Sequence, residues 1–198
     1  MSDTPVLEGK RIRLEPMTRE HLPALEQIAF DDRIWRYMMT WVKTPEDLRA
    51  WVEHALRLEA AGTVKPWVTV LKDGNRVIGS TRFMDFDKNH RTTELGGTWL
   101  APEFHGAGLN AEAKLLQLTY GFEELGLRRI ALKTHHENFQ SQAAMKKMGA
   151  TYEGTFRNHY IMADGSLRHS VWFSIIREEW PRVKALLEAR VREIPRSA

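Results

Sequence analysis

Residues 93–108 read Thr93-Glu-Leu-Gly-Gly-Thr-Trp-Leu-Ala-Pro-Glu-Phe-His-Gly-Ala-Gly108, and Leu109-Asn-Ala-Glu-Ala-Lys114 follows directly. This stretch predicts a strand that ends at Leu100, a glycine-containing loop, and a helix over Asn110–Leu125. A loop that enters a helix through Gly106 and Gly108 exposes several backbone N–H groups without a partner. These donors and the positive end of the helix dipole form an anion site, so we expect a phosphate-bearing ligand here.

The composition predicts one globular domain. The 198 residues are 42% hydrophobic and 28% charged, which suits a packed core and a hydrated surface, and we expect a single domain over 1–198 with its core at about 7–180. No apolar run is long enough to span a bilayer, and residues 1–6 lack the zones of a signal peptide. The chain has no cysteine, which excludes disulfides and a cysteine nucleophile. We therefore expect a cytoplasmic protein, and the net charge of +3 favours a hydrated surface over a nucleic-acid interface.

The remaining patterns predict an α+β fold, with strands before and after one central helix. Asp73-Gly74-Asn75 predicts a hairpin turn, and Asn138 predicts the cap of a short helix that ends at Gly149. The other predicted strands cover 11–15, 67–71, 76–83, 129–134, 151–156 and 167–176, and the other predicted helices cover 18–29, 45–62 and 179–192.

Two further patterns leave alternatives open. The aromatic and methionine-rich segment Ile34–Trp41 predicts either core packing or a pliable wall of a substrate pocket. The same two interpretations apply to the tryptophans at 35, 41, 67 and 99.

His135-His136-Glu137 could suggest a metal site, but adjacent histidines in a strand point to opposite sides and no third ligand follows at a helical spacing. We therefore predict no metal site.

The glycine loop does not match the common nucleotide motifs well. The P-loop pattern, Gly-x4-Gly-Lys-Ser/Thr, is missing. Gly106-Ala-Gly108-Leu-Asn-Ala111 matches the dinucleotide fingerprint loosely, but that motif requires an acidic residue at the end of the next strand. Here the next strand ends with Lys133-Thr134, so the sequence disfavours a dinucleotide.

The segment Leu100-Ala-Pro-Glu-Phe-His-Gly-Ala-Gly-Leu-Asn-Ala-Glu-Ala113 resembles motif A of the GNAT superfamily of N-acetyltransferases. That motif, Arg/Gln-x-x-Gly-x-Gly/Ala at the start of a helix, holds the pyrophosphate of acetyl-coenzyme A. A second element of the family resembles Asn138-Phe-Gln-Ser141 and the segment 147–154. The resemblance covers about Leu7–Trp180, and its two ends are most similar to the branch of ribosomal-protein N-terminal acetyltransferases, RimJ and RimL.

This resemblance implies the GNAT fold, a mixed and mainly antiparallel central sheet with helices on both faces, and acetyl-CoA as co-substrate. His105 and Asn110 depart from the side chains usual in motif A, although backbone amides are sufficient to bind a phosphate. The residues expected to bind the coenzyme are Trp99, Leu100, His105, Gly106, Ala107, Gly108, Leu109, Asn110 and Asn138.

The resemblance also implies direct attack of an amine on the thioester, without an acyl-enzyme. Such a reaction needs a base, an oxyanion donor and an acid for the leaving thiolate. A backbone N–H near Leu100 is the expected oxyanion donor, at a splay of the strands that admits the pantetheine arm. Ser141 is the candidate acid, because Met145 stands where the family often has tyrosine; alternatively, Ser141 is an ordinary first-turn residue. Glu94 is the candidate base; alternatively, it is an exposed strand carboxylate.

The pKa of the acceptor amine favours an N-terminal amine modestly. An α-amine has a pKa of about 7.7–8.0, so removing its proton near pH 7.4 costs roughly 0.5 kcal/mol, against roughly 4 kcal/mol for lysine. A chain without an obvious strong base suits the α-amine of a peptide. The alternatives are a small-molecule amine acetyltransferase and a non-catalytic CoA-binding module, and the chain is a candidate homodimer.

Overall fold

The structure is a computed structural model that describes residues 4–193; residues 1–3 and 194–198 of the predicted 1–198 domain lie outside this range. The described strands form one sheet in the order β1-β2-β3-β4-β5-β6-β8-β7. Each neighbouring pair is antiparallel except β5 and β6. This confirms the mixed, mainly antiparallel α+β fold. The strands are β1 (Leu7–Glu8), β2 (Ile12–Pro16), β3 (Lys65–Leu71), β4 (Arg76–Asp87), β5 (Thr92–Leu100), β6 (Arg129–His135), β7 (Thr151–Ile161) and β8 (Leu167–Ile176).

The predicted helices are present, but one of them differs in length and a short helix over Asp32–Trp35 was not predicted. The predicted helix over 18–29 is wrong in length, because a 3-10 turn over Arg19–His21 comes first and the α-helix ends at Glu26. Pro23 explains the break, since proline fits only the first turn of an α-helix. The helices are α1 (Leu22–Glu26), α2 (Asp32–Trp35), α3 (Pro45–Ala60), α4 (Leu109–Thr119), α5 (Phe139–Met148) and α6 (Trp180–Glu193), with a π-helical turn over Tyr120–Glu124 that extends α4.

The sheet separates two apolar cores, one on each face. Along β3, Trp67 and Leu71 contribute to the core that contains α4 and α6, whereas Val68 and Val70 contribute to the core that contains α1, α2 and α3. This alternation follows from the two-residue period of a strand, and all four side chains are at most 5% exposed. Helices therefore cover both faces, as the resemblance implied.

Two strands run further than the sequence predicted. β4 continues to Asp87 instead of Phe83, and β7 continues to Ile161 instead of Phe156. Each extension crosses a non-glycine residue in the left-handed region, Asp85 with φ 51° and Asn158 with φ 49°. The pairing register shifts in both segments, so they contain bulges that interrupt the alternating pattern on which the prediction relied.

Candidate active site

The glycine loop between β5 and α4 presents free backbone donors, as predicted. Gly106 has a φ of 79° and Gly108, directly before α4, has a φ of 73°, a region that favours glycine. Within residues 4–193, the amides of residues 106–110 donate no hydrogen bond to another group of the chain. These five unpaired amides lie at the positive end of α4, an arrangement that favours an anion.

Contacts from outside the loop hold its shape. Arg11 Nη1 donates to the carbonyl oxygen of Ala107 at 3.0 Å, and Arg11 N donates to Glu112 Oε1 at 2.9 Å. His105 Nε2 donates to the carbonyl oxygen of Leu100 at 2.9 Å, which ties the loop to the end of β5. The role of Arg11 was not predicted, because no local pattern of the sequence connects it to a loop 96 positions away.

β5 and β6 separate part of the way along their length. They pair only from Thr92 opposite Arg129 to Glu94 opposite Ala131, although β5 continues to Leu100 and β6 to His135. We call this gap the split. It corresponds to the splay that the resemblance implied.

The backbone of β5 turns one donor toward the split. The amide of Ala101 donates to the carbonyl oxygen of Ile78, on the β4 side, at 2.8 Å. Because successive amides along a strand point to opposite sides, the N–H of Leu100 points toward the split. Gly97, with a φ of 55°, and a register shift between Ser80 and Arg82 mark a bulge beside this position. The geometry thus provides the backbone donor predicted near Leu100.

The glycine loop and the start of α5 flank the split at the same edge of the sheet. The loop follows the end of β5 and α5 follows the end of β6, and parallel strands end at a common edge. At the start of α5, the side-chain oxygen of Asn138 accepts from the amide of Ser141 at 3.0 Å, which confirms the predicted cap. The hydroxyl of Ser141 makes no hydrogen bond within residues 4–193, whereas Met145 is buried in the core.

Glu94 lies where the split closes. Its side chain is only 4% exposed, so the alternative of an exposed carboxylate is wrong. Lys133 Nζ donates to Glu94 Oε2 at 2.5 Å, and the same ammonium lies 5.0 Å from the ring of Trp172 and 5.4 Å from that of Tyr160. Burial raises the pKa of Glu94, and Lys133 opposes this rise. A buried carboxylate with a raised pKa is a better proton acceptor than a free one.

A set of side chains surrounds the split on the sheet face that carries α1–α3. The pairing register places them together, because Arg82 lies opposite Gly96, Glu94 opposite Ala131, and Lys133 opposite Trp172. We call this set the split face. It consists of Arg82, Glu94, Lys133, Tyr160, Arg168 and Trp172.

The aromatic segment is only partly core, because Ile34 and Trp35 are buried, whereas Tyr37, Met38 and Trp41 are half-buried and Met39 is exposed. Trp35 lies 5.8 Å from Trp51 and 5.6 Å from Trp99 between ring centres, and the three rings are at most 8% exposed. Trp67 is fully buried in the opposite core, whereas Trp41 is partly buried. The ring of Trp99 is thus committed to packing.

The two adjacent histidines do not point to opposite sides. β6 ends at His135, and the rings of His135 and His136 stack at 4.4 Å. The prediction of opposite sides was wrong, because the chain leaves the strand between them. Within residues 4–193, no group of three potential ligands is arranged to hold a metal ion. In the same range, no helix has the length and apolar character that crossing a bilayer requires.

The split, the glycine loop and the motif sequence define an acetyltransferase. A family model for the acetyltransferase (GNAT) domain matches residues 11–151, and the chain belongs to this family. It is an acetyl-CoA-dependent N-acetyltransferase.

Individual relatives agree with this assignment. The uncharacterized N-acetyltransferase YnaD of Bacillus subtilis is 28% identical over 172 residues, which cover 86% of this chain and 96% of YnaD. The crystal structure of a GCN5-related N-acetyltransferase from Brucella melitensis matches with a TM-score of 0.87 at 26% identity, over 94% of this chain and 85% of the other. Mycobacterium smegmatis RimJ, solved in complex with CoA-disulfide, has the same fold with a TM-score of 0.83 at 20% identity, over 96% of each chain.

Proposed function

We propose that this enzyme acetylates the α-amine of a protein N-terminus, in the manner of the RimJ and RimL branch, by direct attack without an acyl-enzyme. The observation that carries the proposal is the split between β5 and β6, with the buried carboxylate of Glu94 at its closed end. A base at this point is able to receive a proton from an amine that approaches from the α1–α3 face.

The coenzyme enters from the glycine loop in this proposal. The amides of residues 106–110 bind the pyrophosphate, and Arg11 keeps the loop in shape through its bond to Ala107. The pantetheine arm binds along the unpaired edge of β5 within the split, in the way that an added β-strand would. Acetyl-CoA supplies the activated acetyl thioester.

Three groups of the chain divide the chemistry. Glu94 takes the proton of the attacking amine, and Lys133 keeps its carboxylate in place. The N–H of Leu100 donates to the oxygen on which negative charge develops. Ser141, whose hydroxyl is free of other bonds within the described residues and whose amide is held by Asn138, passes its hydroxyl proton to the departing sulfur and takes a proton back from solvent. Asn138 and Ser141 thereby stay beside the coenzyme.

The outer edge of β7 supports a homodimer as part of the proposal. This strand is the last of the sheet, and its side chains Tyr152, Phe156 and Ile161 are 54%, 54% and 69% exposed. An uncovered strand edge with apolar side chains is a template for a second strand. Light scattering after gel filtration tests the homodimer, and a monomer at micromolar concentration would contradict it.

We also place the protein in the cytoplasm, without direct contact with nucleic acid.

A comparison of amine acceptors tests the function. The enzyme and acetyl-CoA are combined with a peptide that has a free N-terminus, with the same peptide blocked at its N-terminus but containing lysine, and with spermidine. Release of CoA thiol gives the rate, and mass spectrometry locates the acetyl group. We expect acetylation at the free α-amine. A higher kcat/KM for the blocked peptide or for spermidine would contradict the proposal.

A further inference from the structure

The split face carries more positive than negative charge. Arg82 and Arg168 are 6% and 5% exposed, and the side chain of Lys133 is 12% exposed. Glu94 is the buried carboxylate of this face, and it pairs with Lys133 and acts on Arg168. Asp85, the other acid that acts on Glu94, is exposed to solvent. Among its described residues, the split face therefore holds three buried or nearly buried cations and one buried carboxylate.

Arg82 has no polar partner at all within the described residues. Its guanidinium lies 3.9 Å from the ring centre of Trp51, and its Nε and Nη2 are buried without a hydrogen-bond acceptor. Leaving such donors without hydrogen bonds costs free energy, because each buried donor loses its hydrogen bond to water and gains no other in its place. Desolvation lowers the pKa of Arg82 to about 10, so it still carries its charge near neutral pH.

Arg168 has only neutral partners. Its Nε donates to Ser170 Oγ at 3.1 Å, and its Nη1 donates to the carbonyl oxygen of Tyr37 at 3.3 Å. Its charge acts on Glu94 without a direct ion pair, and Lys133 already occupies the Glu94 carboxylate. The split face therefore holds two arginine charges that no carboxylate of the described chain neutralises.

The coenzyme does not explain these charges. The phosphate groups of CoA belong to the glycine loop, which precedes α4, and α4 packs on the opposite face of the sheet from Trp51. The pantetheine portion, which fits the split, is uncharged. The arginines lie on the face from which the amine approaches.

We propose that the acceptor carries a carboxylate close to its reactive amine, in the form of an acidic residue at the second position of the peptide. This inference rests on the proposed function and names its substrate class. The arginine charges of the split face attract such a carboxylate and repel polycations, because complementary charges select partners and opposed charges reject them. Polyamines and aminoglycosides are accordingly poor acceptors.

The experiment uses three peptides that differ only at the second residue: Ser-Glu, Ser-Gln and Ser-Lys before a common neutral tail. Free glutamate and spermidine are measured beside them, with kcat/KM from thiol release at low and high salt. We expect the Glu peptide to exceed the Gln peptide by about tenfold, the Lys peptide to be the slowest, and the Glu advantage to shrink at high salt.

Variants connect the preference to the arginines. In Arg168→Gln, the ratio of the Glu to the Gln peptide falls toward one, whereas Arg168→Lys retains a preference. Arg82→Met provides a second, independent removal of charge on the same face. Arg19→Gln, in an exposed pair with Glu53, is the matched control and keeps the full ratio. CoA titration shows that each variant still folds and binds the coenzyme.

The outcomes separate this inference from the proposed function. Equal rates for the Glu and Gln peptides, or a faster Lys peptide or spermidine, would overturn the inference and leave acetyl transfer intact. Equal losses for all peptides in Arg168→Gln would also overturn it, since the arginine would then act on the chemistry. Free glutamate faster than every peptide would support the carboxylate but overturn the peptide acceptor. CoA binding without turnover of any amine would overturn the proposed function itself.

Discussion

Lys133 Nζ lies 2.5 Å from Glu94 Oε2, across the point at which β5 and β6 stop pairing. Both side chains project from neighbouring parallel strands, and the aromatic rings of Tyr160 and Trp172 enclose the ammonium. The ion pair therefore fixes a carboxylate at the closed end of the split. Burial raises the pKa of this carboxylate, and the lysine limits the rise.

Removing the carboxylate should stop the proton transfer. We expect Glu94→Gln to lower kcat by about 10²- to 10⁴-fold, the range of general base catalysis, with CoA affinity unchanged. Steady-state kinetics and calorimetric titration with CoA measure the two quantities. Glu53→Gln removes a carboxylate from a surface pair with Arg19 and serves as control. Turnover within a factor of three of wild type would remove Glu94 from the mechanism.

Removing Lys133 should move the pH dependence of turnover. Glu94 acts as a base only when it is ionised, and Lys133 lowers its pKa. Lys133→Met therefore raises the pKa of Glu94 further. When the pH is lowered, this variant should lose activity at a higher pH than the wild type does. The profile of kcat between pH 5 and 8 measures the shift. Lys184→Met, which removes a surface pair with Glu123, should leave the acid limb in place. An unmoved acid limb in Lys133→Met would contradict the coupling.

The hydroxyl of Ser141 can be removed without disturbing the helix cap. Asn138 bonds to the backbone amide of Ser141, so Ser141→Ala keeps this bond. We expect turnover to fall about tenfold or more, with little change in CoA affinity. Asn138→Ala is the complementary variant, and it should cost about 1 kcal/mol of stability through loss of the cap. Unchanged turnover in Ser141→Ala would leave only the structural role.

The glycine loop should not tolerate a branched side chain at its last glycine. Gly108 has a φ of 73°, which strains valine, and its amide belongs to the donor set that we propose for the pyrophosphate. We expect Gly108→Val to abolish CoA binding in a calorimetric titration. Gly62, at the end of α3, has a φ of 74° and open space around it, so Gly62→Val imposes the same strain far from the loop. Retained CoA affinity in Gly108→Val would mean that the loop does not hold the pyrophosphate.

A buried lysine on α4 should make stability depend on pH. Lys114 Nζ donates to Thr98 Oγ1 at 2.6 Å and Thr81 Oγ1 at 3.1 Å, and desolvation lowers its pKa to about 7. The unfolded chain binds the proton more tightly, so stability rises with pH from about 7 to 10.4. Urea unfolding at pH 7 and pH 10 should show a smaller rise in Lys114→Met, by about 3 to 4 kcal/mol. Lys72→Met, at the surface, should keep the wild-type slope; an equal slope in Lys114→Met would contradict burial of the charge.

Local patterns were sufficient for part of the site. The prediction of the loop was confirmed because Gly106 and Gly108 determine their own backbone, and the cap at Asn138 was confirmed because its bond spans three residues. The ends of two strands were predicted too early, because bulges at Asp85 and Asn158 interrupt the alternating pattern. The roles of Glu94 and Ser141 remain predictions.

The sequence by itself determined the glycine loop, the helix that follows it and the motif resemblance, since these depend on backbone preferences and donors within a few residues of one another. Only the tertiary structure decided that Glu94 is buried against Lys133, 39 positions away, and that Arg11 supports the loop from 96 positions away. It also decided that Arg82 and Arg168 share a face. Burial and ion pairing depend on which strands become neighbours, and no local pattern of side chains records that.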